Sequence, residues 1–208
     1  MSTELTPEKL AELAAAHGRI EYLRVANGRD IALRPATLDE FNEFRAKTPE
    51  SQERLVRSLI VFPSREEFGR ILDSYPAVAD SPDVSRAVER LTGLEPTSPV
   101  AVDVVPSDVM SSLKATWDRL EEVVVADGRT IVMRPAKRGE YTRFRSEGLG
   151  PQRKRDAQDT LVRAMTVFPA RDELDRLLKA YPGVTDSPAV TRACERLTGL
   201  SLADAEGK

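Results

Sequence analysis

Apolar residues fall along this chain in two alternating rhythms, and the succession of rhythms is written twice. Leu10, Leu13 and Ala14 form a helical stripe behind Thr6-Pro7, a cap followed by a first-turn proline. The stretch IEYLRVANGRDIALRP then changes to period two around Asn27-Gly28, a pair that tolerates the positive φ angles of a tight I′ turn. It predicts a β-hairpin whose second strand ends at Pro35, since proline cannot donate to a ladder. Helical spacing returns with Leu38, Phe41 and Phe44 as one short helix. Leu55, Leu59 and Ile60, behind Thr48-Pro49, mark a second. Ser64 with Glu67 caps a third, which carries Phe68, Ile71, Leu72 and Tyr75 at i, i+3, i+4 and i+7. Ser81-Pro82 opens a fourth, with Val84, Ala87, Val88 and Leu91 on one face and Gly93 as its stop.

The second half repeats this order. VANGRDIALRPATLDEFNEFR (25–45) aligns with VADGRTIVMRPAKRGEYTRFR (125–145) without a gap. The offset there is about 100 residues and later about 106, so about six residues are inserted near SEGLGPQRKRD. In the later block about 25 of 41 positions are identical, more than shared helical propensity gives, and we read a tandem duplication. Ser107 offers the cap of the first helix in this copy, with Val109, Met110, Leu113 and Trp117 as its stripe. Asp127-Gly128 turns the hairpin and Pro135 ends it.

A two-stranded hairpin is marginal by itself. Each must therefore lie on helices or pair with another sheet, and the other copy's hairpin is the obvious partner. EPTSPVAVDVVPSD (95–108) holds three prolines and no helical period, and reads as an extended linker. The predicted fold class is α+β and mostly helical. Each copy has a short N-terminal helix, a β-hairpin and about four helices. Residues 1–95 form repeat unit one, 96–106 a Pro-rich linker, 107–200 repeat unit two and 201–208 a frayed tail. At about 95 residues, each copy is long enough to bury its own core.

Composition removes several function classes. The net charge is −3, so no global positive field draws the chain to nucleic acid or an anionic membrane. Cys194 is the single cysteine, which forbids an intrachain disulfide and favours a cytoplasmic chain. The acidic residues of MSTELTPEKLAELAAAHG exclude the apolar core of a signal peptide, and no stretch approaches the roughly 20 apolar residues needed to span a bilayer.

Catalytic vocabulary is thin. His17 is the only histidine and stands where the first helix ends, so it reads as a helix terminus rather than an acid–base group. Cys194 aligns with Val88 on a core stripe and reads as a buried inert thiol rather than a nucleophile. The pairs Glu66-Glu67 and Asp172-Glu173 lie at helix starts, where the dipole favours negative charge. No zinc spacing, nucleophile elbow or phosphate loop is present. We expect no enzyme, no cofactor and no metal site.

Two features remain as candidate contacts. The run Arg153-Lys154-Arg155 is the strongest basic cluster. It reads first as a solvated helix face, because copy one has PESQER there, with a nucleic-acid-associated or regulatory adaptor as the alternative. Phe62-Pro63, Tyr75-Pro76, Phe168-Pro169 and Tyr181-Pro182 read first as packed corners between elements. Their functional reading is an aromatic-edged groove for an apolar peptide segment, which makes Phe62, Tyr75, Phe168 and Tyr181 the candidate partner-binding residues.

The ordered signature DGRTIVMRPAKRGEYTRFR, LVRAMTVFP, LLKAYPGV and LTGL resembles that of bacteriophage tail assembly chaperones. Those proteins carry a short hairpin with an R-P/E-x-T-x-x-E exit, a helix ending in a hydrophobic residue plus proline, and a closing helix with an L-x-G end. The resemblance covers most of each copy, and here the unit occurs twice. It implies a non-enzymatic, chaperone-like partner of a tape-measure protein or another virion component, acting in the host cytoplasm, and it brings no catalytic residues.

Overall fold

The structure is a computed structural model that describes residues 5–25, 28–45, 50–95, 102–147 and 151–199, with backbone alone for 151–155. It is a mixed α+β fold with ten helices and two three-stranded sheets among these residues. The chain divides into two compact units, Met1–Thr92 with Lys179–Pro182, and Gly93–Leu178 with Gly183–Lys208.

The first half runs α1 (Pro7–His17), β1 (Glu21–Val25), β2 (Arg29–Leu33), α2 (Leu38–Arg45), α3 (Ser51–Leu59), β3 (Ile60–Phe62), α4 (Arg65–Ser74), a 3₁₀ turn Pro76–Val78 and α5 (Pro82–Thr92). The second half repeats that order. It runs α6 (Ser107–Thr116), β4 (Glu121–Val124), β5 (Thr130–Met133), α7 (Arg138–Glu147), α8 (Pro151–Met165), β6 (Thr166–Phe168), α9 (Arg171–Ala180), a 3₁₀ turn Val184–Asp186 and α10 (Pro188–Thr198).

Local chemistry sets most of these boundaries as the pattern predicts. Thr6 Oγ1 accepts from the Lys9 N–H, Ser64 Oγ from the Glu67 N–H and Ser187 Oγ from the Val190 N–H, so each satisfies an amide that its helix leaves open. At α2 the cap is reciprocal: the Glu40 N–H donates to Thr37 Oγ1 while the Thr37 N–H donates to Glu40 Oε2. In the second hairpin Asp127 (φ 57°) and Gly128 (φ 70°) both take the left-handed conformation that a I′ pair requires, and the Arg129 N–H closes on Ala126 O at 3.3 Å. Gly28 is also left-handed, at φ 71°, whereas Asn27 lies outside the described residues.

The sheets correct the expectation that the two hairpins pair with each other. Each hairpin gains its third strand from its own unit: β3 pairs antiparallel with β2, and β6 with β5. Ile60, expected on a helix stripe with Leu59, is instead the first residue of β3, at φ −63° and ψ 124°. The physical reason is an open β2 edge beside a β-branched pair, Ile60-Val61, which suits a pleated surface better than a last helical turn. The Arg34 N–H donates to Leu59 O, and the Arg134 N–H to Met165 O, which anchors the helix-to-strand change in both units.

Two further expectations fail in copy two. Pro106, extended at φ −54° and ψ 137°, holds the N-cap position of α6, so Ser107 is the first helical residue and caps nothing. Trp117 is not on the α6 stripe. The helix ends at Thr116, and Trp117 turns extended so that its ring lies 4.8 Å from the Arg134 guanidinium. Thr48-Pro49, residues 96–101 of the expected linker and the tail 201–208 lie outside the described residues.

The core of the first unit gathers Ile31, Leu33, Phe41, Leu59, Phe68 and Leu91, and that of the second Ile131, Met133, Val162, Met165, Leu174 and Leu197. One polar framework recurs in both. The Arg34 guanidinium forks onto Glu40 at 2.6 and 3.0 Å and donates to Pro35 O and Ser58 O. Arg134 does the same to Glu140, Pro135 O and Ala164 O. Gln52 ties α3 to Ala79 O and Ser85, as Gln158 ties α8 to Thr185 O and Thr191. Glu21 pairs with Arg90, and Glu121 with Arg196, fastening the first strand of each hairpin to the closing helix.

Candidate functional site

The four candidate aromatic residues occupy three kinds of place. Phe62 and Phe168 end the third strands and are half-buried, each followed by a cis proline. Tyr75 closes α4, its N–H donating to Ile71 O at 2.8 Å, and its ring is half-buried. Tyr181, at the matching corner after α9, is only 3 % exposed and presents no open ring edge.

The structure does not gather these residues into one groove. In the first unit Tyr75 lines a groove of about 530 Å³ with Val25, Pro76, Ala77 and Val78, while Phe62 stands apart from it. Arg24 stands at this groove from the end of β1, and Ser81 and Asp83 from the start of α5, so its apolar wall is bordered by one cation and one anion. A cleft of this size admits a few side chains of an apolar segment. In the second unit the groove is elsewhere. Phe168 and Pro169, with Glu173 and Leu177 of α9, face Thr130 and the chain at Asp103-Val104 across about 260 Å³.

Arg24 is held at its groove by a buried charge. The Asp30 carboxylate, 2 % exposed, accepts from Arg24 Nε at 3.0 Å, Tyr22 Oη at 2.7 Å and the Leu5 N–H at 3.0 Å. Burial alone would raise the Asp30 carboxyl. The Leu5, Arg24 and Tyr22 donors outweigh it and hold the group below the usual carboxylate range.

A second feature lies in the C-terminal part of the expected linker. The chain Val102–Val105 is fastened to the second hairpin turn and the first residue of β5: the Asp103 N–H donates to Gly128 O at 2.9 Å, and Thr130 Oγ1 donates to Asp103 O at 2.7 Å. Val105 is buried, whereas Val102 and Val104 are 51 % and 86 % exposed. The β-branched run VDVV between prolines was the available signal for an extended, strand-like segment.

The remaining candidates fall as follows. His17 is the last residue of α1 and exposed. Cys194 is a free, half-buried thiol on α10, and burial, with Glu195 beside it, pushes it up to about 12. Glu66-Glu67 and Asp172-Glu173 sit in the first turns of α4 and α9. Arg153-Lys154-Arg155 lie on α8, and their side chains are outside the described residues. Among the described residues no three His, Cys, Asp or Glu side chains are grouped to hold a metal ion, and no helix is long and apolar enough to cross a membrane.

Compared with protein-family models, curated proteins and solved structures, the chain matches none. The functional reading therefore stands on the residues and their geometry.

Proposed function

We propose that this chain is a non-enzymatic assembly or chaperone-like protein that binds another protein, in the manner of the phage tail assembly chaperones its motifs resemble. Its client would be an apolar-rich segment such as that of a tape-measure protein, held in the host cytoplasm before polymerisation. The observation that carries this reading is the Tyr75 groove: Val25, Pro76, Ala77 and Val78 make an apolar wall with Arg24 and Asp83 at its border. Such a surface takes up apolar side chains and orients the flanking polar ones.

The test is co-expression of the full chain with a tape-measure client, with and without Ala77→Arg. Ala77 is exposed, so a long cation there fills the groove without entering the core. Retention and solubilisation of the client by the parent chain, and their loss in Ala77→Arg at unchanged circular dichroism, are the expected results. A client that stays insoluble beside the parent chain overturns the proposal.

A further inference from the structure

We propose that the segment Val102–Val105 is a displaceable strap on a strand-addition site, and that this site accepts an extended, β-branched segment of a partner by main-chain pairing. The site lies in the second unit and is separate from the Tyr75 groove.

The second sheet is incomplete along one edge. β6 is three residues long and pairs with only Val132 and Met133 of β5, so the half of β5 beginning at Thr130 has no partner from β6. An open strand edge is a row of donors and acceptors that captures extended chain. Here the strap lies at the head of β5, held by one main-chain bond to Gly128 of the hairpin turn and one bond from the Thr130 side chain. Gly128 O takes the Asp103 N–H, and the Thr130 hydroxyl, itself buried, gives its proton to Asp103 O. What binds is thus visible in what is bound: an extended backbone offering one N–H and one C=O from a single residue, flanked by valines.

The strap is weakly held. Val105 is its one buried side chain, and Val104 projects 86 % into solvent. Among the described residues two hydrogen bonds and one buried valine fasten it, whereas β5 beside it is buried at every residue. Elements with so few buried contacts open well before the whole fold does. Behind the strap lies the cleft of about 260 Å³ walled by Phe168, Pro169, Glu173 and Leu177. A replacement segment with longer apolar side chains than the strap's has room to fill that cleft, which Asp103 and Val104 only border. Main-chain pairing supplies affinity in such an arrangement, and the pocket supplies selectivity.

The first unit closes the matching position differently, which is why the site is assigned to the second alone. There the aligned residue is Asp30, whose carboxylate is engaged by Leu5 N–H, Tyr22 and Arg24. The Thr130 hydroxyl instead donates to the strap.

The experiment uses the full chain and a fluorescein-labelled synthetic peptide of residues 100–106. Asp103→Pro removes the strap's N–H and frees the site while leaving Gly128, Thr130 and Val105 in place. Fluorescence polarisation should show saturable binding of the peptide to Asp103→Pro, and at least about tenfold weaker binding to the parent chain, because a tethered strap competes at an effective concentration near the millimolar range. Adding Thr130→Val to Asp103→Pro should weaken the peptide again. In parallel, the Asp103 amide of the parent chain should exchange with deuterium faster than the Val132 amide. No saturable binding to a folded Asp103→Pro chain, or equal protection of the two amides, overturns the proposal. Peptide binding without client capture would leave this site standing and sink the chaperone reading, and the reverse result would leave only the Tyr75 groove.

Discussion

Replacing Arg134 by methionine tests whether the buried fork holds the second unit together. The guanidinium donates to Glu140 Oε1 at 2.6 Å and Oε2 at 2.9 Å, and to Pro135 O and Ala164 O at 2.8 Å each, with its side chain 8 % exposed. Methionine keeps much of the aliphatic volume but leaves one carboxylate and two carbonyls without their donor. Removing one partner of a buried ion pair costs about 3–5 kcal/mol, and each stranded acceptor about 1–3 kcal/mol, non-additively. Glu140 retains some solvent access, so water recovers part of this, and we expect a loss of about 3 kcal/mol. In a unit of this size that is a fall in Tm of roughly 12–20 °C. Arg134→Lys keeps the charge but cannot serve four acceptors from one plane, and should recover no more than about half of the loss. Urea denaturation followed by far-ultraviolet circular dichroism and by Trp117, the only tryptophan, reads the unit directly. A loss below about 1 kcal/mol for Arg134→Met, or full rescue by lysine, would refute the assigned role.

Three other expectations follow from the same geometry. The Arg34 fork, helped by the Thr37 N–H and hydroxyl against partial burial, brings Glu40 to about 2 from an ordinary 4.5, and Arg134 lowers Glu140 likewise. The unfolded chain therefore binds more protons than the folded one below about pH 4.5. This stabilisation is present above that pH and disappears as pH falls toward about 2. Discounted for hydration, Glu40 contributes on the order of 1–2 kcal/mol, and Glu40→Gln should flatten the acid limb of the urea midpoint against pH. Glu121→Gln, which removes a pairing with a largely exposed Arg196, should cost less than about 1 kcal/mol, and a larger loss in the same assay would contradict the solvent-screening argument. The Cys194 thiol, pushed up by burial to about 12, should react with an aromatic disulfide at pH 8 at least about a hundredfold more slowly in the native chain than in urea, and equal rates would show it accessible.

The parts of the fold legible in sequence were those written in short-range chemistry. Thr6, Ser64 and Ser187 act within three residues of themselves, and Asp127-Gly128 turns the chain on its own backbone preferences. What escaped depends on partners far along the chain. Ile60-Val61-Phe62 is too short to show a period, and it becomes a strand because β2 offers an open edge nearly 30 residues earlier in sequence. Trp117 leaves its helix for a guanidinium 17 residues later. The VDVV segment read as linker because its hydrogen-bond partners, Gly128 and Thr130, lie beyond an intervening helix and strand. Tyr75 and Tyr181 share a Tyr-Pro-x-Val corner, LDSYPAV against LKAYPGV, yet one lines a groove and the other is buried, a difference that the shared motif does not carry.

Comparing the two units residue by residue separates skeleton from surface. Arg34 and Arg134, Glu40 and Glu140, Gln52 and Gln158, and Glu21 and Glu121 make the same contacts. Loss of Arg34, Arg134, Glu40, Glu140, Gln52 or Gln158 would leave partly buried charges or amides unpaired, so the fold tolerates little change in them, whereas Glu121 pairs with a largely exposed Arg196 and counts for less. Aligned positions differ within the cores, as Phe68 against Leu174 and Ile60 against Thr166, and also beside the open features. Asp30 stands against Thr130, and this exchanges a buried three-way anion for a single hydroxyl tether. His17 stands against Trp117, and Ala77 in the Tyr75 groove stands against Gly183, which is buried. Tyr75, Pro76 and Val78 recur as Tyr181, Pro182 and Val184, yet the first corner lines a groove and the second is buried, so the physical expectation is two unlike contacts, one for apolar side chains at Tyr75 and one for an extended backbone at Thr130. Ala77→Arg and Asp103→Pro should accordingly act on different ligands, and a double variant should show the sum of the two single effects with no coupling beyond about 0.5 kcal/mol.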